Sequence, residues 1–139
     1  MPVAYTVDAE GRVIRTTCTN PVTLPDVLDH FRELREDRAF SGKLDVLLNV
    51  SALDALPERA QLGTVSAELS AVVQKAQFGA CAIVASRDAM FGMMRVFEVF
   101  AAPYFQEICV FRGLDEAEQW LKAQRTAGEA QAQPPSGAK

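Results

Sequence analysis

LDVLLNV, Leu44-Asp45-Val46-Leu47-Leu48-Asn49-Val50, is nearly continuous in branched apolar residues. A strand with one wet face alternates apolar and polar side chains, whereas a strand covered on both faces has no such need. The run therefore predicts a central strand of a mostly parallel sheet, with helices supplying the cover. Ala80-Cys81-Ala82-Ile83-Val84-Ala85-Ser86 reads the same way, in short and β-branched side chains against which helices pack closely.

Upstream of the first run, residues 3–7 and 12–19 are strand-like around Asp8-Ala9-Glu10-Gly11, where Gly11 can take the positive φ of a tight connection. They predict an antiparallel hairpin. Thr23-Leu24-Pro25-Asp26 then opens a helix: Thr23 caps, Pro25 suits the first turn and Asp26 favours its positive end. Leu24, Val27, Leu28, Phe31 and Leu34 make the apolar stripe, with His30 beside it. Ser41-Gly42-Lys43 closes the unit.

Downstream, a turn at residues 51–57 leads to a helix over 58–76, striped by Leu62, Val65, Leu69, Val72 and Ala76, and Gly79 ends the connection. After the second buried run comes AMFGMMRVFEVFAAPYF, residues 89–105, with three of the four methionines and four of the eight phenylalanines. Its stripe of Met90, Met93 or Met94, Phe97 and Phe100 or Ala101 predicts a core helix, capped by Ser86 or Asp88, in which Gly92 allows close packing on the sheet. Residues 107–111 form the last strand. Gly113 breaks it, and Asp115 with Glu118 has the spacing of a capping box for a short final helix.

Each parallel crossover is right-handed, so the sum is an α/β domain: one mostly parallel five-stranded sheet with an antiparallel edge hairpin and about four helices. The domain spans 1–125, and 126–139, poor in large apolar residues, reads as a disordered tail. Strands laid down in sequence order put the helices mainly on one side. The other face then requires curvature, a ligand or a second subunit.

A length of 139 residues with 49% hydrophobic content suits one core, and the net charge of −4 argues against nucleic acid. The start, MPVAYTVDAEG, has no signal-peptide pattern, and no window reaches the roughly 20 apolar residues that insert across a bilayer, so a cytoplasmic protein is expected. Cys18, Cys81 and Cys109 are widely spaced within apolar runs and read as buried thiols. With His30 as the single histidine, no metal site, no cofactor and no Ser-His-acid set is expected. No glycine-rich phosphate loop is present either.

Residues 82–86, Met90-Phe91-Gly92-Met93-Met94-Arg95-Val96-Phe97-Glu98, and Val110-Phe111-Arg112 with Glu116-Ala117-Glu118-Gln119-Trp120-Leu121 resemble the SpoIIAA-like branch of the STAS superfamily, the STAS/SEC14-like bacterial proteins. The likeness runs from about residue 2 to 121. It implies a strand followed by four βα units, in agreement with the periodicity, and a cytoplasmic module that acts by binding. Classical STAS proteins act through a phosphorylated serine in an Asp-Ser-Ser-Gly-like turn after a central strand. The matching region here, Asn49-Val50-Ser51-Ala52-Leu53-Asp54-Ala55-Leu56-Pro57-Glu58-Arg59, lacks that motif. Ser51 falls at the strand end and Ser66 lies well inside the helix, so the resemblance implies the fold without the phospho-switch.

Two groups of candidate residues follow. Open α/β sheets bind ligands at strand C-terminal ends, which singles out Ser51, Ser86, Arg87, Asp88 and Arg112; capping and turn roles explain the same residues. The second group is Phe91, Arg95, Glu98, Val99 and Phe105, an apolar surplus beyond one stripe with an Arg95–Glu98 pair at helical spacing. Leaving such side chains in water forgoes roughly 1.5–3 kcal/mol each. A homodimer or other protein partner is the first reading of their cover, a small apolar molecule or lipid the second, and the protein's own loops the third. The expected function is a non-enzymatic binding or regulatory module that acts through protein–protein interaction as a homodimer, with a carrier or sensor of a small apolar ligand or lipid as the alternative.

Overall fold

The computed structural model describes residues 3–132, apart from 9, 11, 41 and 75. The chain runs β1 (Val3–Asp8), β2 (Val13–Cys18), α1 (Leu24–Glu36), β3 (Gly42–Asn49), α2 (Arg59–Val72), β4 (Ala76–Val84), α3 (Asp88–Ala101), a 3-10 turn (Ala102–Tyr104), β5 (Glu107–Phe111) and α4 (Leu114–Ala132). The strands lie in sequence order; β1 pairs antiparallel with β2, and all other pairs are parallel. This is the α/β sheet that LDVLLNV predicts. Gly11, assigned to the hairpin connection, lies outside the described residues.

Alternation along the strands sorts side chains into two cores. Ile14, Leu44, Cys81, Ile83 and Val110 face α1, α2 and α3, joined by Leu34, Leu62, Leu69, Met90, Met94 and Phe97 from the helices. Val13, Leu47, Ala80, Ala82 and Val84 face the other way, onto Ala117 and Leu121 of α4. The sheet face left open by the one-sided crossovers is therefore covered by α4. This helix follows the last strand, so no crossover dictates its side, and the alanines of β4 let it approach closely.

Several boundaries differ from the periodicity. The helix expected over 58–76 stops at Val72, and β4 begins at Ala76, because burying Phe78 against Phe40 and Phe105 requires an extended chain there. Gly79 accordingly lies within β4. Pairing passes from Leu44↔Phe78 to Val46↔Cys81, one extra residue on β4, so Phe78 and Cys81 both reach the same core. The side chain of Asp45 fills that bulge: its Oδ1 accepts from the Ala80 N–H at 2.8 Å and lies where a Cβ on residue 79 would go.

Helix α1 starts with the expected Thr23–Asp26 capping box. At α3 the N-cap is Arg87, without a side-chain cap, and Asp88 is the first helical residue. Helix α4 begins at Leu114, ahead of Asp115, and Glu118 pairs with Arg15 of β2 at 3.1 Å. Helix α4 continues to Ala132 where a tail was expected from residue 126, since the alanine, glutamine and glutamate of that stretch are strong helix formers. Residues 133–139 lie outside the described residues.

Candidate functional site

The sheet positions beneath the three-helix layer carry short side chains: Thr16 and Cys18 on β2, Val46 on β3 and Cys81 on β4. Opposite them α1 and α2 present Val27 and Val65. These residues do not fill the gap between the layers, and a cavity of about 230 Å³ remains, walled also by Leu62, Met94 and Phe97. The lining residues that are exposed, Thr23, Ala55 and Leu56, lie on the β2–α1 and β3–α2 loops. The cavity thus opens at the C-terminal edge of the sheet, where parallel α/β folds place ligands. Leu56, 46% exposed, stands at this mouth.

Left empty, 230 Å³ of apolar void forgoes up to about 5.5 kcal/mol at roughly 24 cal/mol per Å³. That is comparable to the whole stability margin of an ordinary domain. An engineered apolar cavity of about 150 Å³ holds benzene, so scaling six carbons by volume gives about nine heavy atoms for this one. A small ring system or a short chain fits; a two-chain lipid does not.

The polar groups in the wall are few. Thr23 and Gln61, near the mouth, are engaged in capping: Thr23 Oγ1 accepts from the Asp26 N–H at 3.3 Å, and Gln61 Oε1 accepts from the Glu58 N–H at 2.8 Å. His30 lies deeper, 8% exposed, and its Nδ1 has no hydrogen-bond partner among the described residues. Its ring meets Tyr5 edge-on at 5.1 Å, but the Tyr5 hydroxyl donates to Asp37 at 2.7 Å. Burial lowers the His30 pKa to about 4, so the imidazole is neutral at pH 7. Burial also raises the Cys18 thiol to about 11 and moves Cys81 and Cys109 upward, leaving all three as thiols.

His30 corrects the sequence reading, which set it beside the stripe. Val27, His30 and Leu34 are spaced three and four apart, and that spacing was the available signal for an inward imidazole. Nothing in the periodicity pointed to the cavity, because a void is a property of summed side-chain volumes.

The strand-end residues form two separate ion pairs, one of them on the mouth loop. Asp54, on the mouth loop, takes the Arg87 guanidinium at 2.5 Å and a hydrogen bond from Asn20 Nδ2 at 3.0 Å. Asp88 pairs with Arg112, whose guanidinium also lies 4.5 Å from the centre of the Phe91 ring. Both arginines thus face carboxylates. Ser51 Oγ donates to the Val84 carbonyl at 3.4 Å, while Ser86 is exposed.

The α3 group separates. Phe105 stacks on Phe78 at 4.8 Å and lines the cavity, and Phe91 packs against the core beneath Arg112. Arg95 and Glu98 pair at 3.1 Å. Val99 is 75% exposed, next to Phe100 at 37%. Own-chain packing therefore covers much of the surplus. Gly92, expected against the sheet, faces open space instead.

Among the described residues no group of three or more His, Cys, Asp or Glu side chains is placed to hold a metal, and no helix is long and apolar enough to cross a membrane. Comparison with curated proteins and with solved structures returned no match. The family profile described as SpoIIAA-like matches residues 13–122, from the start of β2 into α4, and so takes in both walls and the mouth of the cavity. With its five-stranded mixed sheet and four helices, the chain belongs to the SpoIIAA-like family of STAS-type domains.

Proposed function

We propose that this domain is a non-enzymatic regulatory binding module that senses or carries a small apolar ligand in the cavity beneath α1, α2 and α3. The cavity itself carries the reading: about 230 Å³ of apolar space opening at the C-terminal sheet edge. Against catalysis stands the distribution of ionisable groups. The cavity wall contains one titratable imidazole and thiols held protonated, and the carboxylates and arginines outside are exposed and paired with each other.

A route from ligand to partner is built into the mouth. Leu53, Ala55, Leu56 and Pro57 line the cavity, and Asp54 among them is tied to Asn20 and Arg87. Filling the cavity moves this loop and with it the charged surface that a protein partner reads. Propylbenzene, a nine-carbon probe, tests the reading: it raises the melting temperature of the purified protein in a concentration-dependent way, and Val65→Phe abolishes the effect. Absence of any shift at saturating probe would overturn it.

A second surface supports protein contact independently of the cavity. Val99 and Phe100 sit exposed and adjacent at the end of α3, and self-association through them is the corresponding reading. Sedimentation at tens of micromolar checks it, with Val99→Glu shifting a dimer to monomer; a wild-type monomer at that concentration would rule it out.

A further inference from the structure

Resting on the ligand-binding reading above, we propose that His30 is the specificity-determining group of the cavity and that the ligand is a small uncharged hydroxyl compound, a phenol or alcohol of about nine to ten heavy atoms. Three observations combine here. The imidazole is 8% exposed and lines the cavity, yet its Nδ1 has no partner among the described residues. A buried polar atom without a partner is destabilising unless something else satisfies it. Tyr5, which touches the ring, donates to Asp37, and Thr23 and Gln61 of the wall serve their helix starts.

The charge of the wall sets the charge of the ligand. Among the described residues no Asp, Glu, Lys or Arg lines the cavity, and burial keeps His30 neutral. A carboxylate, phosphate or ammonium head would enter a low-dielectric space without a counter-charge, at a penalty larger than the apolar body recovers. A neutral imidazole nitrogen is either a lone-pair acceptor or an N–H donor, depending on tautomer. A hydroxyl meets both cases, because it donates and accepts; an ether or ketone meets only one.

The cavity is also polarised along its length. Thr16 lies opposite Tyr5 in the β1–β2 register, and Tyr5 touches His30, so Thr16 and His30 mark one end of the space. Phe78 and Phe105 line it from the β4 and β5 side, and Met90 and Met94 of α3 line it too. Such a wall accepts an aromatic body, since thioether and ring contacts are favourable. The hydroxyl is directed to His30 and the ring or chain toward the phenylalanines.

The experiment compares 4-propylphenol with propylbenzene by calorimetric titration, on the wild type and on His30→Phe, which keeps an aromatic ring and removes the polar atoms. In the wild type the phenol binds about fivefold to tenfold more tightly, the usual size of one net hydrogen bond. In His30→Phe the order is lost or reversed, because the unpaired hydroxyl is then the costlier group to bury. The anion 4-propylbenzoate does not bind to either.

Should the variant fail to fold, the wild type still answers. His30 is the only histidine, so its imidazole nitrogen resonances are uniquely assigned, and they move with the phenol but not with the hydrocarbon. Equal binding of phenol and hydrocarbon, unmoved imidazole resonances, or benzoate binding as tight as the phenol would overturn the role of His30 while leaving the cavity reading intact. If neither neutral probe binds, both fall.

Discussion

The two faces of the sheet are built on different rules. Toward α4, Ala80 and Ala82 let Ala117 and Leu121 come into contact with the strands. Toward α1, α2 and α3 the strands also carry short side chains, Thr16, Cys18, Val46 and Cys81, but the helices span them and leave about 230 Å³ between the layers. Short residues under one helix close a gap, whereas under three helices resting on one another they leave it open. The α1–α2 and α2–α3 contacts hold the roof up. On the proposed reading, one face of this fold is structural and the other receptive.

The largest expected effect comes from the polar group on the receptive face. His30 has a folded pKa near 4 against 6.5 for an ordinary imidazole, so the unfolded chain binds its proton first as the pH falls. Stability from this source is complete above pH 6.5, declines between 6.5 and 4, and changes no further below 4. The shift corresponds to about 3 kcal/mol, an upper figure given the mouth of the cavity. Tyr5, its ring neighbour, is raised to about 12 by burial and by its bond to Asp37, and stays neutral throughout this window. Carboxylates add their own acid dependence, so the measurement is a difference: denaturant unfolding from pH 7 to 4, wild type against His30→Phe. The variant's curve is flatter across this interval. Parallel curves would mean that His30 is not buried as neutral imidazole.

Enlarging one small residue on each face gives opposite signs. Ala82→Leu forces a larger side chain into the contact between β4 and α4, where Ala82 is fully buried, and destabilises by about 2 kcal/mol, within the 1–3 kcal/mol typical of overpacking. Val65→Phe places its ring in the cavity and stabilises by about 1 kcal/mol, as cavity filling commonly does. Thermal unfolding of the two variants in the same buffer checks both, and a loss of stability in Val65→Phe would mean that the roof is already closed.

Legibility in the sequence follows the same division. The run LDVLLNV and the alternation around it carry strand order, parallel pairing and the antiparallel edge, because those depend on which residues must leave water. Periodicity places the end of α2 too late, since Phe78 belongs to a strand only once its ring partners Phe40 and Phe105 have been assembled from elsewhere in the chain. The strand-end polar residues lie at the C-terminal edge of the sheet, but their ion pairs join residues 33 and 24 positions apart and cannot be read from local spacing. The receptive core was the least legible. Its inward histidine follows from a three-and-four spacing, while its volume depends on a shortage spread over several elements, none of which looks unusual alone.

The smallest predicted effect separates overall stability from occupancy of that core. Gly92 lies on the outward side of α3, and a Cβ there meets nothing within 4 Å. Gly92→Ala restricts the unfolded chain and removes a poor helix former, so it stabilises by about 0.5–1 kcal/mol. Because the change touches no cavity wall, the shift in melting temperature caused by propylbenzene is the same size as in the wild type. Val65→Phe reaches a similar stability by occupying the space, and the propylbenzene shift disappears. Two variants of near-equal stability, one responsive and one not, make the receptive face the cause of the response; an equal loss of response in Gly92→Ala would instead attribute it to the looseness of the fold as a whole.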